Sequence, residues 1–205
     1  MDWALFGSVF VTLVVIMDPP GIVPVFLALT HRRGRQQMHR LALQATLTAL
    51  GVIVGFALFG QLILDYLHVS LPALQTSGGL LLLLVALQLL LGKEGEVTAA
   101  EDVNVALVPL GTPLIAGPGA IVAVMLFMQE ARSSGIPGEL LAVGLGVLAT
   151  HVVLYLAMRY STAVARVLGT SGITVLTRIA GMLLAAIAAQ LIADGVFGFI
   201  AVQGG

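Results

Sequence analysis

The sequence predicts an all-α, polytopic membrane protein with six transmembrane helices, arranged as two inverted three-helix repeats whose first helix is broken. Three observations carry this. Of the 205 residues, 59% are hydrophobic and only 9% charged, with a mean hydropathy of +1.09, whereas a soluble domain carries roughly 25% charged residues. Apolar runs recur at the roughly 20 residues needed to cross a hydrocarbon core of about 30 Å. Segments of the first half also return in the second half.

Taken in order, the first span runs from Trp3 to Thr30 and is interrupted by Asp18, Pro19, Pro20 and Gly21. Leu41 to Leu64, Leu71 to Leu91 and Val103 to Gln129 contain no charge; Leu140 to Met158 holds only His151, and Ile173 to Ile200 only Arg178 and Asp194. The chain starts Met-Asp-Trp with no basic n-region, so the first span is expected to stay in the mature protein. There is no cysteine, which excludes disulfides and thiolate metal sites.

Basic residues set the expected orientation. Arg32, Arg33, Arg35 and Arg40 follow span one, Lys93 follows span three, and Arg159 and Arg166 follow span five, while the opposite loops hold only Arg132. By the positive-inside rule the first set is cytoplasmic, which puts both termini on the outer side of the cell inner (plasma) membrane. A net charge of −1 argues against nucleic acid as a partner.

Laying Pro20-Gly21 over Pro118-Gly119 takes an offset of 98 residues, and laying Gly79 over Gly181 takes 102. The second offset also brings Leu74, Leu81, Leu82 and Gln88 onto Leu176, Leu183, Leu184 and Gln190. The repeats are read as residues 1-91 and 103-205 of one membrane domain, joined by a cytoplasmic linker, 92-102, made acidic by Glu94, Glu96, Glu101 and Asp102. Three spans per repeat is an odd number, so the second copy enters from the other face. Inverted repeats with interrupted helices characterise secondary transporters, whose substrate sites lie near the midplane. Duplication without transport is the plainer alternative.

Each break is strongly coded. Met17 to Phe26 carries three prolines and a glycine, and Val108 to Ala120 carries Pro109, Gly111, Thr112, Pro113, Gly117, Pro118 and Gly119. Proline removes a backbone donor and clashes with the preceding turn, and unpaired backbone survives in hydrocarbon only where protein or a cavity meets it. Both breaks should therefore face the interior. A restarted half-helix offers free N–H groups and the positive end of its dipole, an environment for a carboxylate or phosphate. Pro20, Gly21, Thr112, Gly117 and Gly119 are the expected substrate contacts; a kink needed only for packing is the alternative.

Asp18 falls roughly mid-membrane at about 1.5 Å per residue, where a carboxylate is costly and marks function. It is read as a substrate contact and as the carrier of a coupling proton or sodium ion, with a helix N-cap as the bland alternative. Its repeat counterpart is Ala116. His151, with Tyr155 on the same face, is a second coupling candidate or a lone buried histidine. Gln88 and Gln190 are expected to line the core as a pseudo-symmetric pair, as substrate contacts or as interhelical glue. Asp65 is read as a solvated helix end, Asp194 as near the outer interface, and Arg178 as snorkelling or pairing with a carbonyl. Gly51, Gly55, Gly60, Gly144, Gly146 and the run from Ala185 to Ala189 read as close-packing faces.

No Walker, HExxH or GxSxG motif and no carboxylate or histidine cluster with metal spacing is present, and Gly92-Lys93 follows a helix without an upstream glycine. The chain is accordingly expected to be no enzyme and to use no cofactor or metal beyond a coupling proton or sodium ion.

These residues carry a resemblance. The break at Asp18 to Gly21 with Pro24 and Phe26, the Leu74 to Leu81 stretch with Gly78-Gly79, Val108-Pro109-Leu110 to Ile121 with Ala116-Gly117-Pro118-Gly119, and Gly172-Ile173, Arg178, Gly181 to Leu184, Gln190 and Gly195 together look like the MarC family of bacterial and archaeal inner-membrane proteins. The resemblance implies a six-span membrane protein, some of whose relatives are described as moving small neutral amino acids with cation coupling. It also implies that Asn as well as Asp is admitted at position 18. The leading expectation is a secondary transporter of a small solute, a neutral amino acid, working by alternating access. A carrier of anionic lipid headgroups and a non-transporting scaffold are the alternatives. Membrane lipid and a small-molecule substrate are the expected partners, with homo-oligomerisation left open.

Overall fold

In a computed structural model, which describes residues 2–30, 33–92 and 115–203, the first helix starts at Asp2. Its carboxylate accepts the amides of Ala4 (2.9 Å) and Leu5 (3.0 Å), an N-cap that satisfies two of the donors left open at a helix start. Helix α1 (Trp3–Met17) then runs to Asp18. Pro19 and Pro20 offer no N–H to the carbonyls of Val15 and Ile16, so the ladder stops there. Asp18 turns into the left-handed region (φ 40, ψ 70), and α2 (Pro19–Thr30) restarts at once, with proline tolerated in its first turn.

Helix α3 (Arg35–Leu67) has 33 residues, about 50 Å at 1.5 Å per residue and longer than a bilayer core. Helix α4 (Leu71–Leu91) is capped by the Ser70 hydroxyl, which accepts from the amide of Ala73 at 3.4 Å. Then come α5 (Pro118–Ser133), α6 (Pro137–Arg159) and α7 (Ser161–Gln203), the last bent where Gly169 adopts φ 63 and ψ 176. All regular elements among the described residues are helices.

Five stretches among the described residues are long and apolar enough to cross a membrane: Trp3–Leu27, Arg35–Leu67, Leu71–Leu91, Gly138–Arg159 and Ser161–Ile200. Helix α5 has 16 residues, too few to span alone. The first part of the expected fourth span, Val103 to Gln129, and the acidic linker beyond Gly92 lie outside the described residues. The exterior is apolar on many helices, with Leu47, Leu62, Leu84, Val152, Ile179 and Phe197 all exposed. That surface suits hydrocarbon and not water.

The interior is built by backbone approach. Helices α4 and α7 run antiparallel, with Gly79 against the Ala188 carbonyl and Ile192, Gly181 against the Ala86 carbonyl, Leu89 and Leu90, and Gly195 and Gly198 against Pro72. A side chain at Gly79 would place its Cβ 2.8 Å from the Ala188 oxygen, and one at Gly181 would place it 3.2 Å from the Ala86 oxygen. Small residues here let dispersion between the helices replace the missing hydrophobic drive. The two contacts are reciprocal: shifted by 102 residues, Ala86 and Leu90 become Ala188 and Ile192. Around this pair, α2 packs on α7 and α6, α5 on α4 and α3, and α1 on α6, α5 and α7. Gly60 and Gly146 also make close approaches, to Met125 and Val9, whereas Gly51, Gly55 and Gly144 face open space. The close-packing faces expected from glycine alone are therefore only partly used.

Candidate functional site

The first junction buries a carboxylate. Asp18 is 6% exposed, and neither of its carboxylate oxygens has a hydrogen-bond partner. Oδ2 lies against Gly21, where any side chain would collide with it, and the Thr177 hydroxyl of α7 faces the same point. The Gly21 amide and the Thr177 hydroxyl approach the carboxylate without closing a bond of good geometry. Thr177 is itself 2% exposed with an unpartnered Oγ1. The carbonyls of Val15 and Ile16, deprived of donors by the two prolines, add negative character at the C-terminal end of α1. An unmatched carboxylate in such surroundings costs several kcal/mol. The junction therefore favours a cation, and it does not suit the anion that the dipole of α2 alone would suggest.

The second junction has the opposite sign. Gly117 is the N-cap of α5 and supplies no side-chain cap, while Ile121 closes the first backbone bond to its carbonyl at 3.1 Å. Proline at the first turn withholds one donor, and the amides that follow keep the positive end of the helix dipole. Ile115, Ala116, Gly119 and Ala120 are all buried. Gly119 is in contact with Leu82 of α4, and a Cβ there would stand 3.6 Å from Cγ2 of Ile16. Ile16 is two residues before Asp18, so the start of α5 abuts the last turn of α1. The turn of α1 that leads into Asp18 therefore neighbours a helix start whose N-cap residue, Gly117, supplies no side chain.

The other expected site residues separate. Pro20 is half-buried and Gly21 buried at the first junction, and Gly117 is half-buried at the second. Thr112 lies outside the described residues. His151 is 2% exposed, with Nδ1 2.8 Å from the Val147 carbonyl and Nε2 unpartnered, so no hydrogen bond joins it to Asp18. Tyr155 instead takes a hydrogen bond from Arg159 at 3.0 Å.

Gln88 and Gln190 require correction. Both are exposed, and Gln190 donates to Asp194 on its own helix at 2.8 Å. Each stands nine residues beyond its glycine, Gly79 or Gly181. Nine residues is two and a half turns at 3.6 per turn, so glycines that face the partner helix turn these glutamines away from it. Asp65 is exposed and accepts from Gln61 at 3.0 Å, in keeping with a solvated helix end. Asp194 and Arg178 are exposed as well.

Thr177 is the residue that sequence reasoning missed. Its signal was weak, one of several hydroxyls between Thr170 and Thr177 and one residue before the more conspicuous Arg178. No group of three or more His, Asp or Glu side chains that could hold a metal ion occurs among the described residues.

Comparison with known proteins covers the chain nearly end to end. The model of the MarC family integral membrane proteins matches residues 3–200. A UPF0056 membrane protein of Methanocaldococcus jannaschii is 37% identical over 205 residues, 97% of this chain and 98% of that protein. A UPF0056 membrane protein of Aquifex aeolicus is 34% identical, over 93% of this chain and 92% of that protein. The UPF0056 membrane protein YvbG of Bacillus subtilis is 32% identical, over 98% and 99%. No solved structure matches the chain. With one family model and full-length relatives in agreement over the same residues, the chain belongs to the MarC family of integral membrane proteins.

Proposed function

We propose that this protein is an inner-membrane secondary transporter of a small zwitterion, a neutral amino acid, coupled to a proton or sodium ion and working without a further cofactor. The observation that carries the reading is the buried carboxylate of Asp18, without a hydrogen-bond partner among the described residues, at the end of an α1 turn whose Ile16 lies near the start of α5. A neutral amino acid has a carboxylate for the α5 amides and an ammonium for the acidic side of the pair. The coupling cation would share Asp18, the Thr177 hydroxyl and the carbonyls of Val15 and Ile16, all oxygen ligands suited to a hard cation. Without a cation or proton the carboxylate is expensive to enclose, so closure around an empty, ionised site is disfavoured. Coupling follows from that penalty.

The equivalent contacts of Gly79 with Ala188 and Ile192 and of Gly181 with Ala86 and Leu90 support two inverted repeats related by a pseudo-two-fold axis, with α4 and α7 as the surface on which they would rock. A doubly charged phosphate suits this pair of junctions poorly, because Asp18 stands beside the anion-binding end. That counts against a headgroup carrier acting here. A pure scaffold has no use for a carboxylate that costs stability.

The test is uptake of labelled alanine, glycine and serine into proteoliposomes under a proton or a sodium gradient. Gradient-dependent uptake by the wild type, reduced at least about tenfold by Asp18→Asn, is expected. If none of the three is moved under either gradient, the amino-acid reading is lost.

A further inference from the structure

A second polar site lies away from the helix breaks, at the end of the molecule where α3 begins, α6 ends and α7 begins. A cavity of about 540 Å³ opens there, lined by Arg35, Met38 and His39 of α3, by Arg159 and Tyr160, and by Ser161, Thr162, Ala163 and Arg166 of α7. Three arginines and a histidine surround it, and no acidic side chain lines it among the described residues.

Two features set it apart from an ordinary basic loop. The first is Ser161, which lines the cavity, is 1% exposed and has an Oγ with no hydrogen-bond partner. A buried hydroxyl is left unpaired at a cost, and here it borders a space large enough to hold a partner. The second is charge placement. Helices α3 and α7 both start at this cavity, and neither has an acidic residue in its first turn. Arg35 occupies the first turn of α3, where the helix dipole already opposes a positive charge. Like charges are gathered at two positive helix ends, and among the described residues no acidic side chain lines the cavity to offset them. Arg159 is already held in place: it donates to the Tyr155 hydroxyl at 3.0 Å, and its guanidinium carbon sits 5.8 Å from the ring centres of both Tyr155 and Tyr160. The guanidinium has five N–H donors in a planar fork, so one bond to Tyr155 leaves others for a ligand.

We propose that this cavity binds a phosphate group. Arg35, Arg159 and Arg166 would neutralise it, the Ser161 hydroxyl would donate to one of its oxygens, and the start of α7 would add its dipole. The phosphate could belong to an anionic lipid of the adjoining leaflet or to a soluble phosphate, and Met38, Ala163 and the Tyr160 ring would contact what it is attached to. This site is independent of the transport reading, shares no residue with it, and would stand if that reading failed.

The test uses the full chain in phosphatidylcholine nanodiscs, with thermal unfolding as the readout. In one arm inorganic phosphate is titrated against chloride at constant ionic strength; in the other, phosphatidylglycerol replaces part of the phosphatidylcholine. A rise in Tm in at least one arm is expected, the phosphate arm marking a soluble ligand and the lipid arm a headgroup. Arg166→Gln should weaken the response roughly tenfold, the effect of one charge-assisted hydrogen bond. Ser161→Ala should weaken it too while leaving the ligand-free Tm unchanged or higher, because no existing bond is broken. Arg40→Gln, which removes the same charge outside the cavity, should keep the full response. No response in either arm, or equal losses in Arg166→Gln and Arg40→Gln, would overturn the proposal.

Discussion

At Asp18 two requirements coincide that can be separated by experiment. The backbone there is left-handed, a conformation that Asp and Asn adopt more readily than other non-glycine residues. The side chain, however, is an unmatched carboxylate. Asp18→Asn keeps the backbone preference and removes the charge. It should therefore raise stability by about 1 to 3 kcal/mol, seen as a higher Tm of the empty protein, while gradient-driven uptake is lost. A lower Tm would instead mark the carboxylate as a structural cap. Such an exchange of stability for activity is what the proposed coupling role requires; what the sequence located, and the structure buries, is a carboxylate at the helix break. Its neighbour Thr177 was not legible, because one hydroxyl among several on α7 is not distinguished until a carboxylate from another helix is placed near it.

At the scale of elements, the α4 and α7 pair depends on backbones that touch. Gly79→Ala would bring a methyl to within 2.8 Å of the Ala188 carbonyl, an atom that cannot rotate aside, and should lower stability by about 1 to 3 kcal/mol. Gly144→Ala meets nothing within 4 Å and should be neutral or stabilising by up to about 1 kcal/mol, the helix-propensity gain. Thermal unfolding in one detergent compares them directly; equal effects would remove the special role of the α4 and α7 contact. The helix breaks were legible because proline acts within its own turn, whatever surrounds it. The roles of Gln88 and Gln190 were misjudged because matched positions in a repeat show equivalence, and equivalence holds equally for two residues that both point outward.

At the scale of the molecule, the basic residues at one end and the 33-residue α3 make a topological prediction. The two ends of α3 must fall on opposite sides of a membrane it crosses. Because the chain has no cysteine, single replacements report without background. Val69→Cys should react with an impermeant maleimide on intact cells, and Arg33→Cys only after permeabilisation, as the positive-inside rule requires. The reverse pattern would invert the orientation of the whole protein.

The sequence by itself determined the solvent of this protein, its helical class, the position of its first break and the family to which it belongs. The first three follow from composition, from run length and from the local chemistry of proline, and the family from motifs shared along the chain; none of these needs a neighbour. Only the tertiary structure decided that Asp18 lies close to Thr177, that Gly79 and Gly181 each face the opposite helix of the α4 and α7 pair while the glutamines do not, and that Ser161 lines a basic cavity. The physical reason lies in the bilayer. A soluble helix shows its buried face by contrast between apolar and polar residues, whereas a helix in lipid is apolar on every side. What selects its partners is the fit of small residues and a few polar groups across helices, and that fit exists only after the helices have packed.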